Sequence, residues 1–141
     1  MTSYYEIEPE VAGGLGDSTE IDRSGGRTLV TKLHYVFDGW LGDSIIESHP
    51  CFVVTKALGD ALVESRISGF ELRGLEVSQS ETFEELYPDR TLPEFRWLQV
   101  TGTACSDDFG ISDEHLLVVS ASALEVIQKH GCDNCDISKV S

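Results

Sequence analysis

Basic residues are what this chain has least of. Ten Lys and Arg stand against 25 Asp and Glu, a formal net charge of -15. A surface with that balance repels phosphate backbones, so DNA and RNA are disfavoured as direct partners. Long apolar runs are also missing. None approaches the ~18 residues of a membrane span, and no membrane association is expected. The opening MTSYYEIEPE has neither the basic nor the apolar part of a secretory signal, which makes the cytoplasm the expected location. Motifs for chemistry are scarce too. There is no G-x-S-x-G elbow, and spacing assigns no Ser, His and Asp to triad roles. GGLGDS and SGGR lack the P-loop pattern and its lysine. The glycines of VAGGLG neither follow a strand nor open a helix, which removes a dinucleotide fold. His34, His49 and His115 have no nucleophile placed beside them and read as surface histidines. The expectation is a non-enzyme without a cofactor.

What is present is a globular composition, 40% hydrophobic over 141 residues, enough for one domain with a real core. The acids are clustered. Residues 1–22 carry Glu6, Glu8, Glu10, Asp17, Glu20 and Asp22 with no Lys or Arg among them. A second group comprises Glu76, Glu81, Glu84, Glu85 and Asp89. A third, CSDDFGISDEH, holds Asp107, Asp108, Asp113 and Glu114. Like charges this close oppose one another, so they belong on solvated loops and helix ends unless a cationic partner neutralises them. Such a surface steers toward basic targets, and steering raises association rates ~10 to 10³-fold.

Residues 1–27, with VAGGLGDS and DRSGGR, read as a glycine-rich acidic arm of turns. The domain proper is expected over 28–141. TLVTKLHYVF alternates Leu29, Thr31, Leu33, Tyr35 and Phe37 on one side of a strand. CFVV is a short apolar strand, Thr55 a helix N-cap, and KALGDALVESR a helix with Ala57, Leu58, Ala61 and Leu62 on one stripe. Gly59 inside it points to close packing. FELRGLEVS reads as one strand with a bulge at Gly74. A short helix over 81–86 ends before Pro88, and FRWLQVTG is a strand with Phe95 and Trp97 on one face and Leu98 on the other. The earlier grammar then returns. LLVVS precedes a helix with Ala123, Leu124 and Ile127 on one stripe, a capping box at Ser122 and Glu125, and a stop at Gly131. CDISKV is a last strand. The sum is an α+β domain: a mixed or antiparallel sheet of about six strands, two main helices, and a weak internal β-α-β repeat.

The tail GCDNCD places Cys132 and Cys135 in CxxC spacing after His130. The pair follows a helix C-terminus, where the dipole works against a thiolate, so a thioredoxin-like role is not expected. His130, Cys132 and Cys135 offer three zinc ligands, but a second CxxC is lacking. Two ordinary thiols in a loop is the expectation, with a zinc-stabilised protein or enzyme as the alternative.

The succession FVVTKALGDAL, SGFELRGLEVS, FEELYPDRTLPEFRWLQVTG and DDFGISDEHLLVVSASALEVI, over residues 45–140, resembles immunity proteins of bacterial polymorphic-toxin and contact-dependent inhibition systems. The resemblance implies a cytoplasmic, non-catalytic protein that binds one cognate toxin domain and blocks it, with no catalytic residues to carry over. The acidic balance fits a toxin with a basic cleft, such as a nuclease or nucleic-acid deaminase. Asp107, Asp108, Asp113 and Glu114, with Glu84, Glu85 and Asp89, are the expected docking acids. Tyr87 or Trp97 is the expected aromatic anchor, with burial in the core as the competing reading of Trp97. A regulatory module for another basic protein is a further reading of the same features.

Overall fold

A computed structural model describes residues 3–25 and 29–140. The chain begins with β1 (Tyr4–Glu8), β2 (Gly13–Leu15) and β3 (Glu20–Asp22). It continues through β4 (Leu29–Lys32), β5 (His34–Phe37), β6 (Ile45–Ser48) and β7 (Cys51–Thr55) into α1 (Lys56–Glu64). Next come β8 (Phe70–Arg73), β9 (Glu76–Gln79), α2 (Glu81–Leu86) and β10 (Phe95–Val100). The last elements are β11 (Phe109–Ile111), β12 (Leu117–Ser120), α3 (Ala121–His130) and β13 (Asp136–Lys139). This is one small mixed α+β domain.

The repeated grammar of the sequence corresponds to a repeated topology. One four-stranded sheet has the order β6-β7-β10-β8 and the other β11-β12-β1-β13. In each, a hairpin leads into a strand, a helix and a second strand. That pair of strands flanks a central strand antiparallel to both, β10 in one sheet and β1 in the other. The helix N-cap marks the correspondence. The Thr55 side chain accepts from the Leu58 amide, and that of Ser120 from the Ala123 amide. Thr55 stands opposite Phe95, the first residue of β10, and Ser120 opposite Tyr4, the first residue of β1. The cap of α3 is therefore Ser120, and the expected capping box at Ser122 does not form it. Gly131 does stop α3, with φ 101°.

One apolar cluster is shared by both sheets and both long helices. Ile7, Phe52, Leu98, Leu117, Leu58, Leu62, Leu124 and Ile127 meet there. Each such side chain contributes about 1.5–3 kcal/mol by leaving water. Gly59 sits where a Cβ would come within 3.1 Å of Leu72 Cδ1, the close packing that its position in the helix implied. A second cluster lies on the opposite face of β6-β7-β10-β8. Ile46, Val53, Phe95 and Trp97 pack there against Tyr35, Phe37 and Phe83. Tyr35 and Phe37 come from a third sheet, ordered β2-β5-β9. The strand β7 is covered on both faces, which is why CFVV is continuously apolar.

Several expectations need correction. Thirteen strands in four sheets are found among the described residues, where about six in one sheet were expected. TLVTKLHYVF divides at the fully buried Leu33. The break inverts the alternation, so Val30 is buried and Leu29 exposed. FELRGLEVS is not one bulged strand: β8 pairs with β10, while β9 crosses to pair in parallel with β5. His34 is buried, its Nε2 2.8 Å from Ser78 Oγ and its Nδ1 accepting from the Ser18 amide. It fastens the 16–19 turn to β9.

The largest correction concerns the N-terminal segment. Tyr4–Glu8 is the central strand of a sheet, with Ile7 in the main core, and Gly13–Leu15 pairs with β5. These residues are structural and not a loose arm; the expected boundary at 27/28 lies outside the described residues. The sheets are joined where two glycines allow it. A Cβ on Gly69, which has φ 94°, would lie 2.4 Å from Phe109 O, and one on Gly102 would lie 2.7 Å from Gly69 Cα.

Candidate acidic groove

The expected docking acids fall into two groups that no shared pocket or hydrogen bond joins among the described residues. Glu84 and Glu85 are exposed on α2, and Asp89 is exposed just beyond it. Tyr87 is half-buried, its ring tilted by 50° against Phe83 at 5.4 Å, with the Arg90 guanidinium 5.9 Å from its ring. Asp113 and Glu114 are exposed at the β11–β12 turn. Asp107 accepts from the Thr103 amide at 2.7 Å within its own loop.

Asp108 is an internal fastener. Its Oδ2 accepts from the Ser68 amide and hydroxyl, and its Oδ1 from Ser120 Oγ at 2.6 Å. Burial acts to raise its pKa, but these three bonds together hold it below the ordinary carboxylate range. Its carboxylate ties the segment after α1 to the N-cap of α3. Trp97 is buried in the second cluster with Arg73 over its ring at 5.4 Å, the position of a core residue.

The cysteine tail has a structural explanation. The buried Asp43 accepts from the Asn134 backbone amide at 2.9 Å and from its side-chain amide at 3.0 Å. Ser44 donates twice to Gly131 O. The loop is thus pinned to residues 43 and 44. Cys132 and Cys135 are free thiols. Burial, then the neighbouring Cys132 and Asp43, push Cys135 up to about 12, which opposes a thiolate. His130 is exposed, and no three His, Cys, Asp or Glu converge as metal ligands among the described residues.

The same pinning builds a feature that the sequence reading did not single out. The end of β1, the strand β6 and the 133–136 loop enclose a groove of about 580 Å³. Its carboxylates are Glu8, Glu10, Glu47, Asp133 and Asp136, and no basic residue lines it among the described residues. The Glu10 backbone is held beside β6 by a bridge to Ile46, its carbonyl accepting from the Glu47 amide at 2.9 Å. Glu8 and Asp136 stand directly opposite in the β1–β13 ladder, an arrangement in which like charges destabilise. None of the ion pairs among the described residues involves these five acids.

Glu10 is the unusual member. It is only 7% exposed, its Oε2 accepts from the Leu41 amide at 2.7 Å, and its Oε1 is buried without a partner. Burial raises its pKa, opposed by the Leu41 and Asp43 amides and by the Arg90 charge; burial also raises that of Glu47, where the charge of Glu8 adds to the effect. Glu10 also forms part of a neighbouring hollow that includes Trp40 and Tyr87. Between the two lie Val11 and Leu41, exposed at 68% and 67%, the two most exposed large apolar side chains among the described residues. The signal was available in YYEIEPE, whose period-2 alternation of Tyr5 and Ile7 against Glu6 and Glu8 marks a half-buried strand. The burial of Glu10 was not, because it depends on a bridge to a distant strand.

No helix among the described residues is long and apolar enough to cross a membrane. Comparison of the chain with protein-family models, with curated proteins and with solved structures gives no match in any of the three.

Proposed function

We propose that the protein is a non-catalytic immunity protein of the cytoplasm, which binds a cognate toxin domain with a basic surface and neutralises it. The observation that carries this reading is an acidic groove, rich in carboxylates that form no ion pair among the described residues, beside exposed Val11 and Leu41. A free protein gains nothing in stability from such an array, because like charges repel and a buried unpaired carboxylate oxygen costs free energy. A cationic protein surface would satisfy it, and the adjoining apolar residues supply the kind of contact that interface centres use. The net charge of -15 supports the reading through long-range steering.

The test is to look for a large gene adjacent to this one and to co-express the protein with the C-terminal domain that such a gene encodes. The expected result is rescue of growth and a stoichiometric complex whose association slows as salt is added. If the neighbouring domain is toxic yet neither bound nor suppressed, the reading is overturned. Turnover of a substrate by the purified protein alone would overturn it as well.

A further inference from the structure

The two thiols of GCDNCD sit at the ends of one tight turn. The Cys135 amide donates to the Cys132 carbonyl at 3.3 Å, with Asp133 and Asn134 at the centre of the turn. Such a turn holds its end Cα atoms less than ~7 Å apart, close to the ~4.4–6.8 Å that a disulfide spans. Both side chains also belong to one apolar cluster, Cys132 as a buried member and Cys135 packed against it. The turn is fixed before any bond forms. Ser44 holds Gly131 O on one side, and Asp43 accepts twice from Asn134. The other two thiols lie elsewhere, Cys51 buried in β7 and Cys105 exposed on its own loop.

We propose that Cys132 and Cys135 are the site of a reversible intramolecular disulfide, a redox clamp on the turn joining α3 to β13, closed by a small disulfide oxidant of the glutathione class. Cys135, the more exposed of the two, gives its proton to solvent and attacks one sulfur of oxidised glutathione. The S–S bond of the oxidant breaks, and one glutathione leaves and takes up a proton. Cys132 then loses its proton and attacks the Cys135 sulfur of the mixed disulfide, releasing the second glutathione as a thiol. Two protein thiols are oxidised and one oxidant disulfide is reduced to two thiols. Burial and the charges of Asp43, Asp133 and Asp136 disfavour either thiolate, so closure is slow. The neutral disulfide escapes that penalty. Asp133 and Asp136 flank the turn in the groove wall, and the clamp fixes their spacing. The inference does not depend on the immunity reading.

The test exposes the folded protein to excess oxidised glutathione, then digests it after Lys129 and Lys139, which releases residues 130–139 as one peptide. That peptide should be lighter by two hydrogens, resist alkylation, and regain both reactive thiols in dithiothreitol. The oxidised protein should melt about 5 °C higher than the reduced one. Cys132→Ser removes the resolving thiol, so Cys135 should stop at the mixed disulfide, heavier by one glutathionyl group. Cys135→Ser should show no loss of hydrogens from 130–139. Two thiols that still alkylate after oxidation, a bond from either to Cys51 or Cys105, or an oxidised form that melts no higher would each overturn the proposal. So would a stoichiometric zinc that shields both thiols from alkylation.

Discussion

The two β-α-β units share a topology and differ in what covers them. Aligned by their N-caps, β10 and β1 correspond residue by residue: Leu98 with Ile7 toward the shared core, Trp97 with Glu6 on the other face, and Gln99 with Glu8. In the first unit that other face is buried by the third sheet. In the second it carries Glu6, Glu8 and the buried Val118, and among the described residues no member of either apolar cluster comes from it. The edge position differs in the same way. Gln99 stands opposite Glu71, and the Arg73 guanidinium reaches the Gln99 amide at 3.2 Å. Glu8 stands opposite Asp136, and among the described residues no cation is near enough to either to form an ion pair. One unit buries its outer face under a third sheet, while the other keeps a half-buried Glu6 and an exposed Glu8 there.

The contrast can be broken most severely at its central pair. Trp97→Ala should lower stability by about 3–5 kcal/mol, whereas Glu6→Ala, at the matching position, should change it by less than ~0.5 kcal/mol. Urea unfolding of the two variants measures both, and equal losses would show that the second unit is covered after all. The caps come next. Thr55→Ala removes one hydrogen bond and should cost ~1 kcal/mol. Ser120→Ala also removes the bond to Asp108 and should cost ~2 kcal/mol.

Acidity sharpens the comparison further. Glu10 and Glu47 have raised pKa values, chiefly through burial. The native state therefore holds their protons more tightly than the unfolded chain, and stability falls as pH rises through the window above the usual carboxylate range. Asp108 has the opposite sign: its contribution is present at neutral pH and is lost as pH falls through its lowered value. Thermal unfolding should thus move to higher temperature between pH 7 and pH 5 and back down in stronger acid. Glu10→Gln/Glu47→Gln should be more stable than wild type at pH 7 and show a smaller gain on acidification. A less stable variant would contradict the burial argument. The smallest effect belongs to the edge pair. Glu8→Gln should gain a few tenths of a kcal/mol at low salt, and Gln99→Glu should lose a similar amount. Both differences should vanish at 1 M salt.

Much of this was legible in the sequence, and the reasons differ by element. The helix over 81–86, the stop at Gly131, the Thr55 cap and the two faces of FRWLQV all rest on local signals, and the structure has each of them. The repeat was visible as grammar. Its partner strands were not, because β10 follows its unit and β1 precedes its own by about a hundred residues, and periodicity within a window carries no pairing information. The groove was missed for the same reason. Glu8 and Glu10 lay in a segment read as an arm, while Asp133 and Asp136 lay in a tail read for its thiols. The clusters compact in sequence, 84–89 and 107–114, drew attention, yet Asp108 of the latter is a fastener. Carboxylates brought together by tertiary pairing leave no such local mark.

The placement of β1 between β12 and β13 sets an order of events during synthesis. Tyr4–Glu8 leaves the ribosome well before both of its neighbours, which lie more than a hundred residues downstream. That strand must therefore wait, unpaired, while the hundred or so intervening residues are translated. Glu8 meets Asp136 only when that late stretch has emerged, so the groove cannot exist on a partial nascent chain.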